Sequence, residues 1–232
     1  MTSSAHGQSP APGSDSGFGR FDAQEMTIVH RAFRRELRLL GEMIATVAPG
    51  DVKRAAVLTE HFTDLRAGLI NHHHGEDELL WPPLLARVGL DREVVLRMET
   101  QHERVAETLT AVDALATHWA PTADAETRDH LVAALEEHRT VLVEHLDDEE
   151  AHLLPLAEQF LTAKEFGALG EHFVQNTPKT KLFKYFGMVM EEADKRERAI
   201  LLGNLPAPIR LMWHVLGPPL YARTLRQVRA TT

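Results

Sequence analysis

The chain has 232 residues, 44% hydrophobic and 25% charged, which suits one well-buried core or a core with an appendage. Its formal net charge of −9 argues against nucleic acid as the main partner, because a phosphate-binding surface must be basic. It has no cysteine, which excludes disulfides, iron–sulfur clusters, thiolate zinc sites and cysteine nucleophiles, so any metal must be held by nitrogen and oxygen.

Residues 1–19 are rich in Ser, Gly and Pro and predict a disordered tail that carries His6. The sequence opens with no signal-peptide pattern, and no apolar run approaches the ~20 residues of a membrane span, so a cytoplasmic location is expected. From Phe21 the pattern turns helical. Met26, Val29, Phe33, Leu37, Leu40, Ile44 and Val47 fall at steps of three and four, and Pro49-Gly50 ends this first helix. A second runs from about Val52 into the 80s on Ala55, Leu58, Phe62, Leu65 and Leu69. A third starts after Asp91, a candidate N-cap, on Val95, Met98, Val105, Leu109 and Val112. A fourth covers roughly 124–160 on Leu131, Leu135, Leu142 and Leu156. Four long amphipathic helices with short connections predict an all-α, up-down-up-down four-helix bundle over residues 20–160.

Residues 161–232 read as a C-terminal helical extension. Thr162 and Glu165 form a capping box, Thr177-Pro178 is a break, and a further helix runs to Leu202 with Gly203 as its stop. One or two short helices, split at Gly217-Pro218-Pro219, complete it. Residues 195–232 hold seven Lys or Arg and one acid, Glu197, mixed with apolar residues. This predicts either an amphipathic surface for a membrane or partner protein, or a cap packed on the acidic bundle.

The two halves of the bundle repeat. A shift of 72 residues brings Met26 onto Met98, His30 onto His102 and Leu37 onto Leu109. A shift of 73 brings His72 onto His145, Glu76 onto Glu149 and Pro82 onto Pro155. Two helical hairpins carrying the same polar residues imply a pseudo-twofold bundle with a half-site from each.

Those polar residues stand where the core face should be. After Leu65 and Leu69 the inward positions are His72 and Glu76; after Leu135 they are His138, Leu142, His145, Glu149 and His152. Residues four apart share a helix face, so each His-x-x-x-Glu pair can aim one nitrogen and one oxygen at the same place. A buried carboxylate needs a cation, a proton or hydrogen bonds. A salt-bridged polar network is the competing reading, and the duplication favours metal. Four imidazoles and two carboxylates exceed one tetrahedral zinc and suit two six-coordinate ions, iron or manganese. His138 and His152 could relay protons or be satisfied core histidines. His73 and His74 read as surface or supporting residues, and His61, His118, His130, His172 and His214 carry no pattern.

The segments HHHGEDELLWPPL and HLDDEEAHLLPLA, with His30 and His102, resemble the paired signatures of the hemerythrin-like (HHE cation-binding) family over about residues 25–160. The tail loosely resembles extensions on actinobacterial members. The resemblance implies a non-heme diiron centre held by His30, His72, Glu76, His102, His145 and Glu149, with the glutamates as bridges. It implies reaction with hydrogen peroxide, dioxygen or nitric oxide. One departure stands out: a histidine expected four residues after His102 is replaced by Ala106. His73, directly after a ligand, is the candidate to substitute. The altered set points away from reversible oxygen carriage. It leaves a catalase- or peroxidase-like enzyme, an oxygen or nitric oxide sensor or iron store, and a biosynthetic diiron oxygenase as readings.

Overall fold

The computed structural model describes residues 23–89 and 92–230, so the predicted tail with His6 and the N-cap at Asp91 lie outside the described residues. Four long helices form the bundle. They are α1 (Gln24–Ala45), α2 (Val52–Leu79), α4 (Arg92–Trp119) and α5 (Ala125–Asp148), with short α3 (Trp81–Arg87) continuing the line of α2. Asp51 caps α2 by accepting from the Arg54 amide, and Asp124 caps α5 by accepting from that of Thr127. The helices pack in a ring, α1 on α2, α2 on α4, α4 on α5 and α5 on α1. Among the described residues there is no strand.

The fourth bundle helix continues beyond α5 into α6 (Leu154–Phe160), and the extension contains α7 (Ala163–Gln175), α8 (Lys179–Glu192), α9 (Lys195–Gly203) and α10 (Ala207–Val228). The Thr162/Glu165 capping box forms as the sequence predicts. The helix expected to reach Leu202 unbroken divides instead at Ala193-Asp194. Asp194 and Glu197 make a second capping box that starts α9, so the chain stops and restarts with its end groups satisfied. The expected split at Gly217-Pro218-Pro219 does not occur, and α10 runs through both prolines. Its inner face, Trp213, Gly217, Tyr221 and Val228, is buried, and α10 packs on α8 and α2. That burial outweighs the main-chain hydrogen bonds that proline cannot make.

Close approach between α8 and α10 depends on glycine. A Cβ on Gly187 of α8 would overlap the Tyr221 ring of α10, while Gly217 makes room for the Trp213 ring of its own helix, which meets Phe183 and Phe186 of α8. Gly187→Ala is expected to destabilise the protein by about 1–3 kcal/mol through overpacking, read from chemical denaturation. Gly41→Ala, on α1 with open space around it, should be neutral or stabilising. Equal effects at the two positions would sink this account.

The extension is also tied to α1 by charge. Arg31 reaches Glu197 at 2.7 Å, Arg35 reaches Glu192 at 2.7 Å, and Arg229 donates to Glu36 at 2.8 Å. Glu36 is buried. Burial pulls its pKa up, but hydrogen bonds from His61 and Arg35 win and hold it down at about 2.

The bundle has two apolar clusters along its length. One holds Phe33, Leu37, Leu65, Leu69, Val105 and Leu142; the other holds Met26, Leu80, Trp81, Met98, Leu153 and Leu154. Between them every long helix passes through a polar layer: His30 on α1, His72 to Glu76 on α2, His102 on α4, and His145 to Glu149 on α5 and the turn after it.

Candidate metal centre

The polar layer gathers five imidazoles and two carboxylates. His30, Glu76, His145 and Glu149 are buried to within 1% of full burial, His73 and His102 are 7% exposed, and the His72 side chain is 9% exposed. They fall into two trios, His30/His72/Glu76 and His73/His102/His145, each with one potential ligand atom per residue within 4.8 Å of the others.

Each glutamate faces both trios. Glu76 sets Oε1 3.2 Å from His72 Nε2 and Oε2 3.5 Å from His102 Nε2. Glu149 Oε2 lies 3.4 Å from His30 Nε2 and 3.8 Å from His145 Nε2. Both oxygens of Glu76, both of Glu149, and Nε2 of His73, His102 and His145 are buried without a hydrogen-bond partner among the described residues. Unsatisfied buried polar atoms are scarce in native proteins, and here acceptor oxygens and lone-pair nitrogens converge on one place. Such a set fits cations, which satisfy oxygen and nitrogen lone pairs together.

The outer ring nitrogens set the tautomers. His102 Nδ1 donates to Asp77 Oδ1 at 2.8 Å, and the same oxygen accepts from Trp81 Nε1 at 2.7 Å. His30 Nδ1 donates to Glu150 Oε1 at 2.9 Å, itself held by Arg34 at 2.7 Å. His145 Nδ1 donates to Gln101 Oε1 at 3.2 Å, and Gln101 is held by Asp148, which Arg97 grips through two bonds. Donation at Nδ1 leaves Nε2 as an inward lone pair, the form a metal needs; that of His30 accepts from His72 Nε2 at 3.2 Å, and those of His102 and His145 have no partner among the described residues. Burial, reinforced by the neighbouring imidazoles, pushes His72 and His73 well below the usual histidine pKa and takes His145 down to about 2. Burial pushes Glu76 well up, with Glu149 adding to it, and raises Glu149 too. The layer is poorly suited to free charge of either sign.

All six residues assigned by resemblance meet in this layer, and His73 joins them. Its ring stacks on His102, with centroids 4.2 Å apart, and meets His145 edge-on at 5.1 Å. His73 brings a fifth imidazole from α2, whereas Ala106 is exposed and away from the layer, and adjacent His72 and His73 fall in different trios. His74 is exposed.

The two relay candidates are not in the layer. His138 is buried, but its Nδ1 pairs with Thr108 Oγ1 at 2.9 Å, and burial lowers its pKa to about 4. Two helical turns, ~10 Å of rise, separate it from His145. His152 was expected on the inner stripe, but its side chain is 57% exposed and pairs with Asp148 at 2.8 Å. The cause is a π-helical turn at Glu149–Leu153, with the Leu154 amide bonded to the Glu149 carbonyl. The extra residue in that turn carries the inward position from 152 to Leu153, which is fully buried. The sequence reading also missed the buried Glu36, which lies off the stripe of α1.

Residues 23–157, more than half of the chain, match the family described as Hemerythrin HHE cation binding domain. No curated protein and no solved structure matched the chain.

Proposed function

Because the chain belongs to the hemerythrin HHE cation-binding domain family, we propose that its polar layer holds two iron ions and reacts with hydrogen peroxide or dioxygen in a catalase- or peroxidase-like role. The observation that carries this reading is the facing of each glutamate toward one imidazole of each trio. His30 and His72 would hold one ion, His73, His102 and His145 the other, with Glu76 and Glu149 spanning both. Manganese suits the same ligands. Iron bound there would supply one-electron redox steps and a coordination position for a small oxidant. The unequal split, two imidazoles against three, would give the ion at His30 and His72 the smaller set of nitrogen ligands. The apolar clusters above and below exclude bulk water.

The test is metal content and the visible spectrum of anaerobically purified protein, before and after peroxide. About two irons per chain with new near-ultraviolet bands and rapid peroxide loss are expected. Zinc alone, no metal, or no peroxide consumption by loaded protein would sink the enzyme reading.

Asp77 is a positioning residue in this scheme. Asp77→Ala should lower iron affinity by about 10–100-fold with helicity unchanged, read by competition with a chelator. Unchanged retention would remove the role assigned to the Asp77–His102 bond.

A sensor of oxygen or nitric oxide is a second reading, favoured by one observation. The helix that carries His30 also carries Arg31, Arg35 and Glu36, which grip the extension. Ligand-dependent protease sensitivity of residues 195–230, without turnover, would select it.

A further inference from the structure

Six of the nine large hydrophobic side chains exposed among the described residues lie on α10: Ile209, Leu211, Met212, Val215, Leu216 and Leu220. The opposite face of α10 already packs on α8 and α2 through Trp213, Gly217 and Tyr221. The first turns of α10 thus carry apolar side chains on the outer as well as the inner side, interrupted by Arg210 and the exposed His214, and an outer face this apolar is normally covered. Something of suitable chemistry belongs on the outer face.

Charge says what. No aspartate or glutamate occurs between Arg198 and the C-terminus, in a chain whose net charge is −9. Arg223 and Arg226 are exposed, and Arg210, Arg223 and Arg226 make no ion pair among the described residues. The nearby acids are already engaged, Glu191 by Tyr221 and Arg229, Glu192 by Arg35 and Glu197 by Arg31. Arg223 follows Leu216, and Arg226 follows Pro219, by seven residues, so both arginines continue the outward apolar face.

We propose that α10 docks the protein on an anionic lipid surface, lying in the plane of the membrane. The apolar side chains enter the boundary between headgroups and acyl chains to roughly 5–10 Å, and the arginines reach the lipid phosphates. No described helix is long and apolar enough to cross a membrane, so the contact is a surface one. A second copy fits less well, because α10 against α10 brings two basic, acid-free faces together. Residues 1–22 also fit less well, since their large apolar side chains are only Met1, Phe18 and Phe21.

The experiment is flotation of the full chain with phosphatidylglycerol vesicles and with phosphatidylcholine vesicles, at low and high salt. The wild type should float with the anionic vesicles, less so in salt, and stay behind with the neutral ones. Leu211→Ser/Val215→Ser/Leu216→Ser and Arg223→Glu/Arg226→Glu should each cut partitioning on the order of tenfold or more. All five positions are exposed, and unchanged helicity and iron content confirm that the variants fold. Absence of flotation, equal flotation of wild type and variants, or a wild-type dimer that the triple-serine variant converts to monomer would each overturn the proposal.

Discussion

Glu149→Ala is expected to lose both irons, whereas His72→Ala loses chiefly one. The difference follows from what each side chain faces. His72 Nε2 sits in the trio with His30 and Glu76, and its removal leaves His73, His102 and His145 intact. Glu149 Oε2 lies within reach of His30 and His145, which belong to different trios. In the proposed centre, deleting it would take an anionic ligand from both ions and leave Glu76 as the sole carboxylate between them. Two divalent ions with one negative charge between them repel each other in a dry layer, where screening is weak. Iron analysis, together with loss of the near-ultraviolet bands, checks this, with helical content as the control for folding. If Glu149→Ala kept its full iron complement and an unaltered spectrum, the bridging role would be wrong. If His72→Ala lost as much iron as Glu149→Ala, the two ions would bind as one cooperative unit rather than as separable trios.

Most of this centre was legible in the sequence because it obeys a period. The same spacing that predicts the apolar stripes of α1, α2, α4 and α5 puts His72 and Glu76, and then His145 and Glu149, on the continuing inner face. The internal repeat adds His30 and His102. Legibility fails where a helix departs from one face or one period. His73 falls off the α2 stripe, yet four helices around a point leave room for adjacent residues to serve two trios. The π-helical turn changes the period at Glu149, so a stripe extrapolated through it puts His152 on the wrong side. Glu36 was missed because its partners come from far along the chain, His61 on α2 and Arg229 at the end of the extension, and no period on α1 announces them. The sequence does hold a sign of α9, since Asp194 and Glu197 repeat the pattern of Thr162 and Glu165. The continuity of α10 could not be read locally, because proline argues for a break and only the tertiary fit of Trp213 and Tyr221 argues against it.

A second large effect is expected with the metal removed, and its sign is opposite to the usual one for a core substitution. In chelator, Glu76→Gln/Glu149→Gln should be more stable than the wild type at neutral pH. Burial raises the pKa of both carboxyls in the folded chain, whereas unfolding returns them to about 4.3. As pH rises above that unfolded value, the unfolded chain gives up these protons while the folded chain still holds them. Stability therefore falls with rising pH until the folded groups ionise too, by about 1.4 kcal/mol for each unit of separation. The amide variant carries no such penalty. The gap in melting temperature between variant and wild type should be small at acid pH and widen as pH rises toward neutrality. The depressed histidines His72, His73 and His145 weaken the fold on the acid side in both proteins, so their effect largely cancels from the comparison. With iron present the order reverses, because the wild type gains the free energy of binding to the folded state and the variant has lost the ligands. A pH series of melting curves, with chelator and with iron, reads both halves. If the metal-free variant were no more stable than the wild type at any pH, the two carboxylates would be satisfied without a cation, and the reason for placing metal between them would disappear.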